Sequence, residues 1–129
     1  DCIVMGRKTL EKVLTFPDWP YEKPVIVLSN TLKVIPEQCI GKIEIFHGTV
    51  DDLVIKLREE KRERIYIDGG KTIQSFLAGG YVSDMTLTRI PILIGSGLPL
   101  FGSISKDIRL KHIVTKSFPS GFVQSKYEL

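Results

Sequence analysis

Residues 65–77 read IYIDGGKTIQSFL and contain, in order, a β-branched run, a glycine turn and one face of a helix. The run 65–67 has strong β-propensity, and Gly69 and Gly70 permit a sharp turn. The apolar residues after the turn recur at the i, i+3, i+4 spacing of a buried helical stripe, and Gly79-Gly80 ends the pattern. The members of this stripe are Ile73, Phe76 and Leu77. A strand leading directly into a helix is the repeating unit of α/β proteins.

The same order recurs upstream of this stretch. Residues 3–5 are apolar and rich in β-branched side chains, Gly6 follows them, and residues 10–14 have helical spacing. Residues 24–28 (PVIVL) form a continuous apolar run, which is typical of a strand covered on both faces. A third strand at residues 43–46 precedes a helix whose start is marked by the capping-box pair Thr49 and Asp52. We therefore expect an α/β fold with a mostly parallel central sheet.

The pattern changes after Asp84 to extended segments without helical spacing. The segments are residues 85–88, 92–94, 108–116 and 122–129. Pro119-Ser120-Gly121 joins the last two, so we expect a C-terminal antiparallel hairpin on the edge of the sheet. No repeat, linker or low-complexity tract interrupts the chain, which predicts one domain over residues 1–129.

Charge and hydropathy exclude several classes of protein. The 18 basic and 15 acidic residues are mixed along the chain, which disfavours a nucleic-acid partner. The charged run 58–64 (REEKRER) alternates in sign and is interpreted as a solvated helix face. The apolar stretch 90–101 is shorter than the roughly 20 residues that span a bilayer and contains two prolines and two glycines. We expect no membrane association.

The spacing of the cysteines bears on the location of the protein, and the first residues bear on the completeness of the sequence. Cys2 and Cys39 lack the spacing of metal ligands or redox pairs, so we expect reduced thiols, no metal and a cytoplasmic location. The chain opens at Asp1, one residue before an apolar run and without Met. We expect that a segment preceding Asp1 is missing.

Three segments suited to phosphate follow strands of the predicted sheet. They are Gly6-Arg7-Lys8-Thr9, Leu28-Ser29-Asn30 and Gly69-Gly70-Lys71-Thr72. Glycine lets a ligand approach the backbone, and Arg offers a planar fork that matches phosphate oxygens. Taken singly, each segment is also explained by solvated cations or a capped turn. Because ligands of open α/β sheets bind at the carboxyl ends of strands, the three together predict a site for a long phosphorylated cofactor.

Two glycine motifs point to other functions and fail on spacing. Gly70-Lys71-Thr72 matches the end of the phosphate-loop motif of NTPases, but Ile65 occupies the position of its first glycine. Gly95-Ser96-Gly97 begins like a dinucleotide fingerprint, but Leu100 stands in place of the third glycine. The missing first glycine excludes a phosphate-loop NTPase. The missing third glycine leaves only a turn as the prediction for Gly95-Ser96-Gly97.

The ordered segments VMGRKT (4–9), IVLSN (26–30) and IYIDGGKTIQSFL (65–77) resemble the dihydrofolate reductase superfamily. Residues 80–101 are more similar to its riboflavin-biosynthesis reductase branch. The resemblance covers essentially the whole chain. It implies a three-layer α/β/α fold with an NADPH site, and it places the family's first strand, active-site loop and first helix before Asp1. No catalytic residue is therefore predicted.

The resemblance also implies roles for the phosphate-suited segments. Residues 7–9 would hold the adenosine 2′-phosphate and the pyrophosphate, Ser29 and Asn30 would flank the 2′-phosphate and adenine, and residues 69–73 would wrap the pyrophosphate and nicotinamide ribose. The full cofactor-binding set is Gly6, Arg7, Lys8, Thr9, Leu28, Ser29, Asn30, Gly69, Gly70, Lys71, Thr72 and Ile73.

The implied function is an NADPH-dependent reductase that delivers hydride to a small heterocyclic or sugar-derived imine or carbonyl, similar to 5-amino-6-(5-phosphoribosylamino)uracil reductase. The partner would be a small-molecule substrate, and the protein would be a homodimer in which residues 92–101 are a candidate for burial. Asp68 stands where dihydrofolate reductases have a further glycine, which favours the riboflavin branch; a true dihydrofolate reductase is the alternative. A non-catalytic NADPH-binding scaffold is an alternative of another class, and nucleic-acid binding, based on a pI of about 8.9, ranks last.

Overall fold

The computed structural model describes residues 1–129, and the chain divides into two compact units, residues 1–79 and 80–129. The elements of the N-terminal unit are β1 (Cys2–Gly6), α1 (Arg7–Val13), β2 (Val25–Leu28), a 3-10 turn (Glu37–Cys39), β3 (Ile43–Phe46), α2 (Val50–Glu59), β4 (Ile65–Asp68) and α3 (Gly70–Ala78). Those of the C-terminal unit are β5 (Asp84–Arg89), β6 (Lys111–Ser117) and β7 (Val123–Glu128).

The N-terminal unit contains a four-stranded parallel sheet in the order β3-β2-β1-β4. Strand β1 lies inside the sheet, and its Val4 and Met5 are 0% exposed. Residues 25–27 of β2 are also buried, as expected for strands covered on both faces. Because all four strands are parallel, their carboxyl ends meet at one edge. The predicted α/β fold with a mostly parallel sheet is confirmed.

Helices cover both faces of this sheet. On one face, Leu10 of α1 packs in a cluster with apolar residues of β1, β2, β3 and the 3-10 turn. Helix α2 connects β3, at one end of the sheet, to β4 at the other end. This connection runs across the sheet in the opposite direction to the one from β1 to β2. Because both crossovers are right-handed, α2 lies on the opposite face from α1. There it buries Leu53 and Leu57. Each fully buried leucine stabilises the fold by about 1.5–3 kcal/mol. Packing of the helices on the sheet therefore stabilises the three-layer arrangement.

The two cysteines are free and buried. Cys2 and Ile3 are consecutive in β1, so their side chains point to opposite faces of the sheet. Ile3 packs in the same cluster as Cys39. The sheet therefore separates the two thiols.

The predicted capping box at the start of α2 is confirmed. The Asp52 backbone N–H donates to Thr49 Oγ1 at 3.1 Å, and the Thr49 backbone N–H donates to Asp52 Oδ2 at 2.9 Å. The bonds that the Thr49 backbone N–H and the Thr49 hydroxyl donate to Asp52 Oδ2 lower the pKa of the Asp52 carboxyl. The ionised carboxylate stabilises the helix fully above the ordinary pKa of aspartate, and this contribution is lost as the pH falls through the lowered value.

We expect Thr49→Ala to lower the Tm by about 3–5 °C at neutral pH, because the first turn of α2 loses its side-chain acceptor. Thermal unfolding followed by circular dichroism measures the change. Thr49→Ser is the matched control, since serine supplies the same hydroxyl and should retain the wild-type Tm. An equal loss in both variants would show that the methyl group, not the cap, is responsible.

The C-terminal unit is a separate antiparallel sheet in the order β5-β7-β6. The predicted hairpin is confirmed: Gly121 has φ +86°, and the Phe118 N–H donates to the Phe122 carbonyl at 2.9 Å. The prediction that the hairpin lies on the edge of the parallel sheet is wrong, because β6 and β7 join β5 in a sheet of their own and pair with no strand of the parallel sheet. Turn residues specify a hairpin locally but carry no information about the next strand.

Residues 92–94 do not form the predicted extended strand, and the strand predicted from Ile108 begins at Lys111. Pro91 removes a backbone donor before the run, and the Ser96 N–H turns back to the Ile94 carbonyl at 2.8 Å. The turn predicted at Gly95 is thus present, with φ +71°. A β-branched run without a partner strand has no ladder to join.

No residue of the C-terminal unit is buried. Every buried residue belongs to the N-terminal unit. None of the helices has both the length and the apolar character that a membrane-crossing helix needs.

Candidate functional site

The carboxyl edge of the parallel sheet brings the three predicted segments side by side. Gly6 ends β1, Ser29 follows β2, and Gly69 follows β4. Since β1 lies between β2 and β4, its loop is flanked by the other two. A further loop, at His47 and Gly48, leaves the same edge after β3.

The loops after β1 and β4 interlock through glycines and threonines. A Cβ on Gly6 would lie 2.8 Å from Thr72 Oγ1, and a Cβ on Gly69 would overlap Thr9 Oγ1. Gly69 also has φ +92°, a conformation that other residues rarely adopt. Each loop thus packs its glycine against the threonine of the other loop. The two segments form one continuous surface that carries both hydroxyl groups.

Both threonine hydroxyls are available to a ligand. Neither Thr9 Oγ1 nor Thr72 Oγ1 makes a hydrogen bond within the chain, although Thr72 is only 8% exposed. No buried side-chain oxygen lacks a partner, so both hydroxyls reach solvent, where a ligand can meet them. A hydroxyl can donate to an acceptor of the ligand, and phosphate oxygens are acceptors of this kind.

Gly70 differs from its neighbour, because a Cβ added there would meet no atom within 4 Å. It is the first residue of α3, and the N-cap Gly69 supplies no side-chain acceptor to the first turn. The N–H groups at this end of α3 have neither an intrahelical partner nor a side-chain cap. Helix N-termini of this kind favour anions, and the space that a Cβ at Gly70 would enter is open.

Four basic residues lie just after the carboxyl ends of β1, β2 and β4. Arg7 pairs with Glu11 at 3.2 Å, and both side chains are exposed. Lys33 Nζ donates to the Asn30 carbonyl at 3.1 Å. The remaining two, Lys8 and Lys71, are exposed. Exposed ion pairs contribute little free energy. An anionic ligand can therefore replace Glu11 as the partner of Arg7 at a small cost in free energy.

Polar groups after β2 serve mainly to join the loops of β2 and β3. Ser29 Oγ accepts from the Leu32 N–H at 3.1 Å, and Asn30 Oδ1 accepts from the Gly48 N–H at 2.8 Å. His47 Nδ1 donates to the Ser29 carbonyl at 2.7 Å. Sequence reasoning missed this β3 loop, although His47-Gly48 directly follows an apolar strand.

Two apolar members of the predicted set support the same loops. Leu28 is the half-buried last residue of β2, and Ile73 is half-buried in α3. The Ile73 N–H donates to the Gly69 carbonyl at 2.9 Å. Both residues carry apolar side chains and present no polar side-chain group at this edge.

Asp68, the last residue of β4, is held by a distant tyrosine. Tyr21 Oη donates to Asp68 Oδ2 at 3.1 Å. Burial, and then the negative Asp68, raise the pKa of Tyr21 to about 12. The other carboxylate oxygen has no hydrogen bond or ion pair within the chain. Sequence reasoning missed this pair, because the two residues are 47 positions apart and no local pattern links them.

A surface depression of about 550 Å³ lies elsewhere, beside the amino ends of β2 and β3. Its lining includes Trp19, Pro24, Lys42 and Arg62. Lys42 Nζ lies 5.8 Å from the centroid of the Trp19 ring. The depression is at the opposite edge of the sheet from the free hydroxyl and N–H groups, so it is separate from the three predicted segments.

Comparison with known proteins finds a consistent set of relatives. A family model described as the RibD C-terminal domain matches residues 1–123. The chain is 30% identical over 122 residues to the uncharacterized protein YwjB of Bacillus subtilis (strain 168), covering 92% of this chain and 68% of that protein. It thus spans about two thirds of the length of YwjB.

Solved structures agree with this similarity. A putative riboflavin biosynthesis protein from Shewanella sp. PV-4 has a TM-score of 0.95 and 40% sequence identity, with 99% of this chain and 73% of that chain covered. A diaminohydroxyphosphoribosylaminopyrimidine deaminase/5-amino-6-(5-phosphoribosylamino)uracil reductase from Thermotoga maritima has a TM-score of 0.78 at 12% identity, covering 98% of this chain and 44% of that chain. The second likeness concerns the fold alone.

Proposed function

The chain belongs to the RibD C-terminal domain family, and from this premise we propose that it is an NADPH-dependent reductase of a small heterocyclic or sugar-derived imine or carbonyl. The family is related to the reductase of riboflavin biosynthesis. The observation that carries the proposal is the interlocked pair of loops with two free hydroxyls and an open Gly70. The family match runs through both units, which supports one reductase domain.

The residues at the carboxyl edge fit the phosphates of this cofactor. The N–H groups at the start of α3, with the hydroxyls of Thr9 and Thr72, would hold the pyrophosphate. Arg7 and Lys8 would hold the 2′-phosphate, because a doubly charged group is best neutralised by cations and Arg offers two parallel donors. A Cβ at Gly70 would fill the space that the phosphates need.

NADPH, when bound, supplies the hydride, and the chain contributes binding and orientation. The one carboxylate beside the glycines, Asp68, would repel phosphate, so it serves another part of the bound ligands. Its second oxygen is a free acceptor. We assign it to the N–H or amino donors of the substrate ring, which a carboxylate binds strongly.

The leading test substrate is 5-amino-6-(5-phosphoribosylamino)uracil, which the name of the Thermotoga maritima protein specifies. A uracil ring with an added amino group offers several donors to Asp68. A dihydrofolate reductase would instead reduce dihydrofolate. A non-catalytic scaffold would bind NADPH without reducing either compound.

A combined titration and turnover assay on the full-length protein tests the proposal. NADPH and NADH are titrated first, and NADPH oxidation is then followed by its near-ultraviolet absorbance with each substrate present. We expect preferential NADPH binding and turnover of the uracil derivative. Turnover of dihydrofolate alone would favour the first alternative, and tight NADPH binding without turnover would favour the scaffold.

A reducing, cytoplasmic setting is part of the proposal. Cys2 and Cys39 lie on opposite faces of the sheet, and burial raises the pKa of the Cys39 thiol. Thiols of this kind are unreactive. The chain needs no disulfide, which suits a compartment where thiols stay reduced.

We further propose that the protein is a homodimer that pairs through residues 92–101 of the C-terminal unit. This segment carries no charged residue, and its Leu93 and Leu98 are 100% and 98% exposed. A second copy of the chain is the occupant we favour, because two uncharged segments can meet across a two-fold axis without bringing like charges together. Large exposed apolar patches mark interaction sites.

Leu93→Asp is expected to raise the dimer dissociation constant by at least about tenfold, since each copy loses an apolar contact and buries a charge. Light scattering across a dilution series measures the oligomeric state. Val34→Asp is the matched control, as Val34 is an exposed apolar residue of the other unit. A wild-type protein that is monomeric at all concentrations would contradict the dimer.

A further inference from the structure

Tyr21 lies in the irregular segment between α1 and β2, yet its side chain is held in place. Trp19 and Tyr21 both pack against the apolar cluster on one face of the parallel sheet. Their ring centroids are 5.4 Å apart with an interplanar angle of 77°, the edge-to-face arrangement that aromatic pairs prefer. The segment therefore presents the tyrosine hydroxyl from a fixed position.

Strand register brings Asp68 to the same face. Asp68 pairs with Met5 in the parallel ladder, and paired residues point to the same side of a sheet. Met5 belongs to the cluster against which Tyr21 packs. The 3.1 Å bond from Tyr21 Oη to Asp68 Oδ2 thus joins the packed segment to the residue that immediately precedes Gly69.

The bond leaves one carboxylate oxygen fixed and the other free. The Tyr21 hydroxyl donates to Asp68, and because its pKa is raised to about 12 it stays protonated into alkaline solution. Asp68 has no other partner within the chain. Without the tyrosine hydroxyl, nothing in the chain would fix the rotamer of this carboxylate.

We propose that Tyr21 is a positioning residue, which holds Asp68 Oδ2 so that the second oxygen of the carboxylate is aimed at the substrate. The inference rests on the proposed reductase function. Tyr21 itself touches neither substrate nor cofactor. Its role is to select one orientation of Asp68 before the substrate binds, so its removal weakens substrate recognition without affecting the phosphate site.

The kinetic test compares Tyr21→Phe, Asp68→Asn and the double variant. We expect Tyr21→Phe to lower kcat/KM by about tenfold, the equivalent of one hydrogen bond to a charged group. The loss should fall mainly on KM, because an oriented carboxylate binds substrate and transition state alike. The dissociation constant of NADPH should stay within about twofold of wild type, and the double variant should be no worse than Asp68→Asn alone.

Tyr66→Phe is the matched control for these variants. Tyr66 lies on the same strand as Asp68, two positions earlier, but is 67% exposed and donates no hydrogen bond. Its kcat/KM should equal that of wild type. A Tyr21→Phe enzyme with wild-type KM, or a double variant whose losses multiply, would overturn the inference.

A spectroscopic test works without turnover and separates this inference from the proposed function. In carbon-13-labelled tyrosine NMR, the Tyr21 signal should not titrate between about pH 8 and pH 11, and in Asp68→Asn it should begin to titrate within that range. If the protein reduces no substrate but Tyr21 behaves in this way, the reductase proposal fails and the Tyr21–Asp68 bond stands. If Tyr21 titrates like a free tyrosine in the wild type, the positioning role fails whatever the activity.

Discussion

Gly70→Ala is expected to weaken NADPH binding by about a hundredfold and to leave thermal stability unchanged or slightly higher. Within the protein the new Cβ would meet no atom within 4 Å, and alanine is favoured over glycine in a helix by about 1 kcal/mol. The same Cβ occupies the space in front of the free N–H groups of α3. Losing one hydrogen bond to a charged phosphate, at the upper end of the usual range of about 1.5–3 kcal/mol, accounts for the loss of affinity.

Gly69→Ala is the informative comparison for this variant. Its Cβ would overlap Thr9 Oγ1, and its φ of +92° strains any residue with a side chain. We expect Gly69→Ala to destabilise the fold by about 1–3 kcal/mol and to weaken NADPH binding as well. Isothermal titration and thermal unfolding measure both properties in each variant. A Gly70→Ala protein that binds NADPH as tightly as wild type would show that the phosphates do not approach α3.

The sequence predicts the strands of the parallel sheet well, because local signals determine them. Residues 3–5 and 25–27 are continuous apolar runs, and such runs are found where a strand is covered on both faces. Gly6 and Gly69 mark the strand ends directly. The positions of the candidate loops at one edge then follow from parallel topology alone.

The interlocking of these loops could not be predicted in the same way. The contacts of Gly6 with Thr72 and of Gly69 with Thr9 join residues about sixty positions apart, and no local pattern encodes them. Gly69 and Gly70 are the same residue type, yet one packs tightly at positive φ and the other faces open space. The bond between Tyr21 and Asp68 depends on strand register, which the sequence does not display.

The C-terminal unit shows the limit of β-propensity as a signal. The turn at Gly121 identifies the hairpin correctly, since positive φ favours glycine. Residues 92–94 have the same β-branched character but form no strand, because pairing depends on a neighbour that the segment lacks. The pairing of β7 with β5 likewise joins segments that are far apart in the sequence.

Arg7→Ala is expected to weaken NADPH binding by about ten- to a hundredfold while leaving NADH binding nearly unchanged. The two cofactors differ only in the 2′-phosphate, and Arg7 is the residue at this edge that offers a planar fork to phosphate oxygens. Loss of a charge-assisted hydrogen bond worth about 1.5–3 kcal/mol gives this change. The wild-type preference for NADPH should also fade as salt screens the exposed charges.

Glu11→Gln provides the opposite perturbation. Glu11 pairs with Arg7 at 3.2 Å with both side chains exposed, so it competes with the 2′-phosphate for the guanidinium group. Removing its charge should strengthen NADPH binding by about two- to threefold, in keeping with the small value of exposed ion pairs, and should leave NADH binding unaffected. Parallel titration of both cofactors into the wild type and the two variants decides the role of Arg7. An equal loss of NADPH and NADH affinity in Arg7→Ala would mean that Arg7 binds the pyrophosphate, which the two cofactors share.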